Sequence, residues 1–287
     1  MAMPWRSAPE VSVRSLEPAD VPAALALCAQ DPVASVLAAA RLEELGVSAP
    51  FRGQAWGAFR GGEMTSLAWV GANIVPVSPS GVGLEAIARH ALRYGRRFSS
   101  VVGDAPAVHT VWSHLARAWP SPRQVRADQP SLAIDRRSGV ATDPAVRRAG
   151  LNELELVMPA SVAMFTEEYG YSPLSSGGAY GARVRQLIEL GRCFVRMDEG
   201  PEGPRVVFKA EIGAFALGVA QLQGVWVHPE YRGQGLGKAG TSAVIDHALA
   251  AGASTVSLYV NDYNTTARRT YRRVGFTQVG SYATIVC

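Results

Sequence analysis

The feature that most constrains this chain is the stretch Val225–Lys238. A short apolar strand leads into a proline turn, and a glycine-rich loop then opens a helix. Glycines at alternate positions across 233–237 let successive backbone N–H groups point into one concavity. Such a concavity at a helix N-terminus binds phosphate or pyrophosphate through its amide donors and the helix dipole. Arg232 and Lys238 flank the loop with positive charge, so the sequence predicts a phosphate-bearing ligand here.

Two nucleotide-binding motifs fit this loop poorly. The P-loop pattern G-x-x-x-x-G-K-[ST] fails at both ends, because alanine follows Lys238 and arginine stands where the first glycine is required. The dinucleotide pattern G-x-G-x-x-G matches at Gly235, Gly237 and Gly240, with Asp262 close to the expected distance beyond. Yet the preceding strand belongs to an antiparallel-looking meander and one strand–helix unit follows, whereas dinucleotide folds alternate several such units. A glycine turn that only caps the helix is a further alternative.

The loop and a second block downstream resemble the GCN5-related N-acetyltransferases, the GNAT family. Arg232–Gly237 is similar to the family's acyl-CoA pyrophosphate loop, R/Q-x-x-G-x-G/A, and Val227–Tyr231 is similar to its lead-in. Downstream, Asn264 and Ala267 precede a Tyr-x-x-x-Gly-Phe run at 271–276, with the spacing of the family's second motif. The resemblance covers about residues 145–287. It implies a GNAT fold and an acyl-CoA ligand.

The order of predicted elements is repeated in the two halves of the chain. Each half reads as a strand, helices, a strand meander, a helix, a strand, a helix and a final strand. We therefore predict a mixed α+β protein of two GNAT-like lobes, each a mostly antiparallel twisted sheet flanked by helices. The expected boundaries are a degenerate lobe at 1–135, a polar linker at 136–145 and a catalytic lobe at 146–287. In the first lobe Ser80–Gly83 takes the place of the glycine loop, without a basic lead-in.

Composition argues against several classes of function. The net charge is +4, and all but two of the 28 basic residues are arginines scattered along the chain, so no nucleic-acid surface is predicted. Three cysteines, dispersed and odd in number, argue against a disulfide framework and for a reducing compartment. The apolar run Ile212–Val227 is too short and too polar for a membrane span, and Met1–Glu10 has no signal-peptide pattern. We therefore expect a soluble, cytoplasmic protein that contacts neither nucleic acid nor membrane.

The resemblance implies that acetyl-CoA, or a close acyl-CoA, is the cosubstrate. Backbone groups of Trp226 and Val227 would pair with its pantetheine arm like an added strand, and donors near Val227 would stabilise the tetrahedral oxyanion. Strand packing is the alternative role for Val227, and the two roles are compatible. Asn264 would hydrogen-bond the arm, although a helix N-cap explains this residue equally well. The pyrophosphate would be held by the loop residues Arg232, Gly233, Gln234, Gly235, Leu236, Gly237 and Lys238.

Tyr271 is the candidate proton donor. It lies four residues after Ala267 and three before Val274, on the inward stripe of its helix. In the family a tyrosine at this place donates a proton or a hydrogen bond to the departing CoA sulfur. A phenol with a pKa of about 10 can supply a proton to a thiolate whose thiol has a pKa of about 8.5. A buried packing tyrosine is the alternative.

Glu211 is the candidate general base. Several GNAT relatives carry a glutamate on the strand that leads into the loop, where this chain has Gln221 and Gln223. Neither glutamine accepts a proton, and Glu211 on the preceding strand is the nearest carboxylate in chain order. We hypothesise that Glu211 acts directly or through a water molecule. A charged residue on a solvated strand face is the alternative.

The acceptor site is expected at Phe165–Leu174, a segment predicted as a loop. Family members build their acceptor pocket in this region. Glu167 and Glu168 would attract a cationic amine and Tyr169 would form a wall, with an ordinary exposed loop as the alternative. The five histidines show no ligand spacing with cysteines or carboxylates, so no metal is predicted.

These residues predict an N-acetyltransferase that moves an acetyl group from acetyl-CoA to a primary amine. The sequence has no G-x-S-x-G or other nucleophile motif, which favours direct attack over a covalent enzyme intermediate. An acyl-CoA-binding sensor or scaffold is the main alternative. A third is a module whose first lobe recruits a protein substrate, so the acceptor is either a small amine or a protein lysine. The sequence makes no prediction of the oligomeric state.

Overall fold

The computed structural model describes residues 10–48, 54–176, 178–201 and 203–287. The expectation about a signal peptide concerns the first ten residues, and nine of these lie outside the described ranges. Among the described residues, no helix is long and apolar enough to cross a membrane.

The elements follow in the order that the sequence predicts. The strands are β1 (Val11–Ser15), β2 (Ala55–Arg60), β3 (Glu63–Val70), β4 (Asn73–Val77), β5 (Ser100–Asp104), β6 (Gln124–Ile134), β7 (Arg147–Arg148), β8 (Cys193–Gly200), β9 (Gly203–Ala216), β10 (Val219–Val227), β11 (Thr255–Tyr259) and β12 (Thr277–Val286). The helices are α1 (Val21–Cys28), α2 (Pro32–Ser48), α3 (Leu84–Arg93), α4 (Ala105–Leu115), α5 (Leu154–Tyr169), α6 (Ala179–Glu189), α7 (Leu236–Ala250) and α8 (Thr265–Val274). Short 3-10 helices occupy Pro18–Asp20, Leu151–Glu153, Pro173–Ser176 and Pro229–Tyr231.

The chain divides into two compact units, Met1–Ser131 with Gly280–Cys287, and Leu132–Val279. The expected division placed everything after residue 145 in the second lobe, so the structure differs at the C-terminus. The physical reason is strand pairing: Tyr282–Val286 of β12 pairs antiparallel with Ser100–Asp104 of β5. Turn-rich composition marks linkers along the chain, but it carries no information about which sheet a strand joins.

The first unit has a sheet with one parallel join. Strands β1 to β4 pair antiparallel in succession, and β4 then pairs parallel with β5 at Asn73 and Ile74. Helices α3 and α4 bury their apolar faces in one core, in which Ile87 and Val111 are both 0% exposed. The end of β12 contributes Ile285 to the same core.

The second unit repeats this pairing. Strands β7 to β10 pair antiparallel in succession, and β10 pairs parallel with β11 over Val219–Gln221. Helix α7 lies so close to β9 that a Cβ atom on Gly240 would come within 2.6 Å of the Phe208 ring. That contact explains the third glycine of the G-x-G-x-x-G match by close helix–sheet packing. The predicted fold class, a mixed α and β fold with mostly antiparallel sheet, is confirmed.

Helix α5 includes the first half of the segment in which the acceptor site is expected. The sequence predicts a mostly helical segment to Glu168 with an interruption at Pro159, but the helix passes through Pro159 without a break and ends at Tyr169. Phe165 and Tyr169, one helical turn apart, stack with ring centroids 4.5 Å apart. Gly170 then ends the helix with φ +79°. The predicted acceptor residues are therefore on the last turn of a helix.

Candidate active site

The glycine loop has the geometry of an anion-binding concavity. Gly233 and Gly235 take φ values of +76° and +87°, which L side chains rarely adopt. Gly235 is the N-cap of α7, and its carbonyl oxygen accepts hydrogen bonds from the amides of Lys238 and Ala239 at 3.0 and 3.1 Å. The N–H groups of Leu236 and Gly237, at the first two positions of the helix, come before these donors and have no partner within the helix. They are available to an anion at this end of α7.

The loop opens into a cavity of about 720 Å³. Its walls are the end of β10, the loop itself, the first turns of α7 and one side of α8. A volume of this size falls within the range of about 300–1,000 Å³ typical of small-molecule sites. The lining residues are Glu167, Val225, Trp226, Val227, Tyr231, Arg232, Gly233, Gly235, Leu236, Gly237, Lys238, Thr241, Asn264, Thr266, Ala267, Arg269, Thr270, Tyr271 and Arg273.

One edge of β10 faces this cavity. The pairing of β10 with β11 ends at Gln221, although β10 continues to Val227. The amide of His228 donates to Val207 on the β9 side at 2.9 Å. Because backbone groups alternate along a strand, the N–H and C=O of Val227 point the opposite way. The Val227 carbonyl indeed accepts a hydrogen bond from Arg232 Nε at 2.9 Å. An extended ligand can therefore add to this edge as a further strand.

Arg232 is engaged within the protein. Its guanidinium donates to both carboxylate oxygens of Glu167, at 3.0 and 2.8 Å. Glu167 also accepts from Trp226 Nε1 at 3.1 Å. The two charged side chains are about half exposed, so this pair contributes little to stability. Its effect is geometric, since it ties the loop and β10 to the last turn of α5.

Tyr271, on α8, lies in the wall of the larger cavity. It is 8% exposed and packs edge-on against Phe276 with ring centroids 5.9 Å apart. Burial, with a smaller contribution from Glu168, raises the pKa of Tyr271 above its ordinary value. The side chain is therefore a neutral phenol that can donate a hydrogen bond into the cavity. Asn264 lines the same cavity and caps α8, its side-chain oxygen accepting from the Ala267 amide at 3.0 Å.

A second cavity of about 240 Å³ lies beside the first. Consecutive residues line the two: Glu167 and Val225 face the larger cavity, whereas Glu168 and Gly224 face the smaller one. Aromatic and acidic side chains dominate its wall. The lining residues are Met164, Phe165, Glu168, Tyr169, Tyr180, Arg183, Val184, Leu187, Glu211, Leu222, Gln223, Gly224 and Tyr259.

Glu211 reaches this smaller cavity from β9. The residue is 8% exposed, and one carboxylate oxygen, Oε1, forms an ion pair with Lys209, which is 0% exposed. The other oxygen, Oε2, would be 3.1 Å from a Cβ atom on Gly224. Gly224 sits at an irregularity between Gln223 and Trp226, with φ +56°. Glycine at this position therefore leaves room for the carboxylate at the cavity wall.

The structure distributes the predicted site residues between the two cavities. Most cosubstrate candidates line the larger one, but Gln234 does not, because its amide donates to the Glu230 carbonyl at 2.9 Å. Glu167 lies at the larger cavity, away from its predicted partners Glu168 and Tyr169 at the smaller one. Glu211 also lines the smaller cavity, so it is buried and not on a solvated strand face.

Sequence reasoning missed several residues of the site. The position of Lys209 was predictable, because it stands two residues before Glu211 in an apolar strand. Residues two apart in a strand lie on the same face of the sheet. The positions of Arg269 and Arg273 were also predictable, since their spacing of four places them on one side of α8. That of Tyr180 was not, because its position at the smaller cavity depends on how α6 packs.

Within the described ranges, no group of three or more His, Cys, Asp and Glu side chains is arranged to hold a metal ion. The three cysteines are free thiols, and burial raises the pKa of Cys28 and of Cys193 to about 12. A thiol with such a pKa is a poor nucleophile near neutral pH.

Comparisons with known proteins agree with this geometry. The sequence model of the acetyltransferase (GNAT) family matches residues 185–276. A second model, described as a domain of unknown function (DUF4081), matches residues 53–157. A mycothiol acetyltransferase of Thermobispora bispora is 43% identical over 60 residues, which is 21% of this chain and 20% of that protein. The chain thus aligns with about a fifth of the length of the curated relatives it matches.

Solved structures resemble the whole chain. A GCN5-related N-acetyltransferase from Sphaerobacter thermophilus gives a TM-score of 0.57 at 21% identity, covering 97% of this chain and 96% of that one. A tandem GNAT protein from the clavulanic acid biosynthesis pathway gives 0.58 at 13% identity, covering 96% and 98%. At these identities the likeness is one of fold. The family model thus matches part of the second unit, and the solved structures share the fold of the chain.

Proposed function

We propose that the second unit is an N-acetyltransferase that uses acetyl-CoA and a small primary amine. The observation that carries this proposal is the pair of adjoining cavities. One has a phosphate-binding loop and a buried tyrosine, and the other has a buried carboxylate. Consecutive residues of β10, Gly224 and Val225, line the two, so an amine in one cavity is close to a thioester at the end of the other.

The larger cavity accounts for each part of the cosubstrate. The loop amides from Gly233 to Gly237 hold the pyrophosphate, and the edge of β10 at Val227 takes the pantetheine arm. The backbone groups of Trp226, predicted to share this role, point towards β9 instead, because they alternate with those of Val227. Asn264 serves as the helix cap and adds a polar group to the wall. Arg232 acts mainly by positioning the loop, because its guanidinium is engaged by Glu167 and the Val227 carbonyl.

The smaller cavity favours a small cationic acceptor. Glu168 and Glu211 contribute two carboxylates, and the positive groups near them are Arg183 in the wall and Lys209, which pairs with one oxygen of Glu211. Rings of Phe165, Tyr169 and other aromatic residues surround them, and aromatic faces attract ammonium groups. A volume of about 240 Å³ is below the usual range for drug-sized ligands, which supports a compact amine. The name of the curated relatives, mycothiol acetyltransferase, supports acetyl transfer, whereas the residues of the smaller cavity support a small amine as the acceptor.

The reaction proceeds by direct attack. The ammonium group of the acceptor loses a proton to Glu211, directly or through water, and the free amine attacks the thioester carbonyl carbon. A C–N bond forms, and the oxyanion is stabilised by the backbone N–H at Val227. The C–S bond then breaks and the electron pair leaves with the CoA sulfur. The extra proton on the new amide nitrogen passes to the thiolate through solvent, which gives the N-acetylated amine and CoA. Lys209 holds Glu211 in place for the first step.

Tyr271 assists the departure of the sulfur. Since burial raises its pKa, the phenol stays protonated and donates a hydrogen bond to the developing thiolate. Its pKa lies above that of the thiol it would protonate, so stabilising the thiolate by a hydrogen bond is easier than full proton transfer. The alternative of simple packing predicts no loss of rate on removal of the hydroxyl.

Release of free thiol tests the proposal. Purified protein is incubated with acetyl-CoA and each of a panel of small primary amines, and thiol is followed with a chromogenic reagent. Amine-dependent release of thiol supports the proposal. Mass spectrometry of the acetylated amine identifies the second product of the reaction. Turnover only on lysine in a peptide or protein would instead support the recruiting module.

An acyl-CoA sensor is the second candidate. Gln221 and Gln223 favour it, because they occupy the strand on which several GNAT relatives carry the glutamate that acts as general base. The side-chain amide of Gln223 donates to the side-chain oxygen of Gln221 at 3.0 Å. Calorimetric binding of acetyl-CoA without turnover on any amine or lysine peptide would support the sensor and reject the enzyme.

A further inference from the structure

Acidic and basic groups balance at the smaller cavity. Its walls contain the carboxylates of Glu168 and Glu211 and the guanidinium of Arg183. The ammonium group of Lys209 is 0% exposed and pairs with Oε1 of Glu211. Across these four described residues, two negative charges meet two positive ones. An occupant with a net charge would leave one charge uncompensated beside buried groups, whereas an occupant with one charge of each sign would not.

Arg183 is held in place on the cavity wall by two neutral acceptors. Its Nη2 atom donates to the Gly213 carbonyl on β9 at 2.7 Å, and its Nη1 atom donates to the side-chain oxygen of Gln186 at 2.9 Å. These two bonds orient the guanidinium without neutralising its charge. Gly213 stands two residues after Glu211 in β9, at most about 7 Å along the strand. A cation is thus anchored close to the proposed base.

Much of the remaining wall is apolar. The aliphatic and aromatic side chains of α5, α6 and β10 that line it are Met164, Phe165, Val184, Leu187 and Leu222. Val184 and Leu187 are each 2% exposed, so this part of the wall is fixed by the core of the unit. Apolar surface of this kind is stabilised when an apolar group of a ligand covers it.

We propose that the acceptor of the second unit is an α-amino acid with an apolar side chain. Its ammonium group binds at Glu168 and Glu211, its carboxylate pairs with the guanidinium of Arg183, and its side chain contacts the apolar wall. Arg183 lines the smaller cavity and not the larger one, so the carboxylate lies away from the thioester and the amino group lies towards it.

This inference rests on the proposed N-acetyltransferase and narrows its acceptor to amines that also carry a carboxylate. The amino and carboxylate groups of an α-amino acid share one carbon, which suits opposite charges held close together on one wall. The α-nitrogen loses a proton to Glu211 and attacks the thioester carbon. The products are the N-acetylamino acid and the free thiol of CoA.

Matched pairs of acceptors test this inference. L-Leucine, L-valine and L-phenylalanine are each compared with the amine that decarboxylation would leave, which are isopentylamine, isobutylamine and phenethylamine. Release of CoA thiol from acetyl-CoA gives kcat/KM for every acceptor. In at least one pair we expect the amino acid to be preferred by about ten- to hundred-fold, because the amine leaves Arg183 without its charged partner.

Arg183→Gln should abolish this preference. For the preferred amino acid kcat/KM should fall about ten- to hundred-fold, while that for the matching amine should change by less than about three-fold. Arg183→Lys, which keeps the charge but not the planar fork, should retain part of the preference. Arg185→Gln is the matched control, because it removes the same charge from an exposed position of α6 that does not line the cavity. It should keep the wild-type ratio, and circular dichroism checks that each variant is folded.

The outcomes separate this inference from the function on which it rests. If every simple amine is acetylated as well as its matching amino acid, the inference is rejected and the proposed N-acetyltransferase stands. An equal loss for both members of a pair in Arg183→Gln also rejects it, because Arg183 would then act only as a tie between α6 and β9. If no amine and no amino acid is acetylated, the proposed function fails and this inference fails with it.

Discussion

Two glycine loops, one in each unit, have nearly the same backbone and very different surroundings. Gly81 and Gly83 take φ values of +74° and +100° before α3, much as Gly233 and Gly235 take +76° and +87° before α7. In both units the preceding strand pairs parallel with the next over only two or three residues. The first unit therefore keeps the backbone framework of a phosphate site.

The side chains around the first loop close it. A Cβ atom on Gly83 would be 2.6 Å from Ala58 Cβ, whereas one on Gly235 would meet only Lys238 Cε at 3.8 Å. Ser66 donates its hydroxyl to the Val82 carbonyl and holds the first loop against the sheet. Helix α4 contains no arginine or lysine, while α8 contains four arginines.

Helices α4 and α8, which occupy equivalent places in the two units, also differ in the residue at one matching position. The seventh residue of α4 is Val111, which is 0% exposed, and the seventh residue of α8 is Tyr271. A hydroxyl donor in one unit is thus matched by a packed methyl group in the other. A glycine nest becomes a ligand site only when cations, donors and open volume surround it. Substitutions in each unit, with binding, rate and stability measured on the whole protein, test this difference between the two units.

The largest effect is expected from Glu211→Gln. Loss of the base should lower kcat by about 10²–10⁴-fold and flatten the acid limb of the pH–rate profile. Glu168→Gln is the matched control, because it changes a carboxylate of the same cavity that is not assigned proton transfer. It should mainly raise the KM for the amine. An unchanged pH–rate profile in Glu211→Gln would remove this residue from the mechanism.

Among these variants, Lys209→Met should lower the free energy of unfolding most. Removing one partner of a buried ion pair leaves an uncompensated charge, which costs about 3–5 kcal/mol. Urea unfolding followed by fluorescence measures this loss, and Lys209→Met/Glu211→Gln should recover part of it. The described buried polar residues of the first unit include Arg126 but no carboxylate, so a pair of this kind is found only in the second unit. A loss below about 1 kcal/mol would mean that the pair is already solvated.

Alanine at the two loop glycines should give opposite results. Gly83→Ala combines left-handed backbone strain with a clash against Ala58, and should cost about 2–4 kcal/mol of unfolding free energy. It should leave the acetyl-CoA dissociation constant unchanged. Gly235→Ala has space for the methyl group, so it should cost only about 1–2 kcal/mol while weakening acetyl-CoA binding. Loss of binding in Gly83→Ala would show that the first loop also takes part in ligand binding.

Tyr271→Phe should have the smallest effect on rate. Loss of one hydrogen bond to the leaving thiolate should lower kcat about ten-fold, with little change in acetyl-CoA binding. Stability gives a second measurement. Because the folded-state pKa is raised, the tyrosine favours the native state below its ordinary pKa of 10.0, and this contribution is lost as pH rises above that value. Above about pH 10 the thermal unfolding temperature should therefore fall less steeply with pH in Tyr271→Phe than in the wild-type protein.

Much of the fold was predictable because its signals are local. Alternating apolar residues, glycine turns and proline positions mark most strands and helices, and the order of elements in both units follows from them. The loop at Arg232–Lys238 was recognisable for the same reason, since its turn chemistry lies within a few consecutive residues. Asn264 and Tyr271 were found by helix spacing and family resemblance, and both line the larger cavity.

The details that the sequence misjudged depend on distant partners. Glu167 pairs with Arg232, 65 residues away in the chain, which no local pattern indicates. The last strand, β12, joins β5, far back in the sequence. Pairing between remote residues is decided by packing and is not written in any short window of sequence.

The glycine loop, the order of the elements and the residues of the family resemblance can all be recognised in the sequence. Which of the two glycine nests is open, which carboxylate lies near it and which arginines line the cavity depend on how the elements pack. The physical reason is that a turn depends on the conformations open to a few consecutive residues. A site depends on volume, charge and burial, which arise only when distant elements pack together.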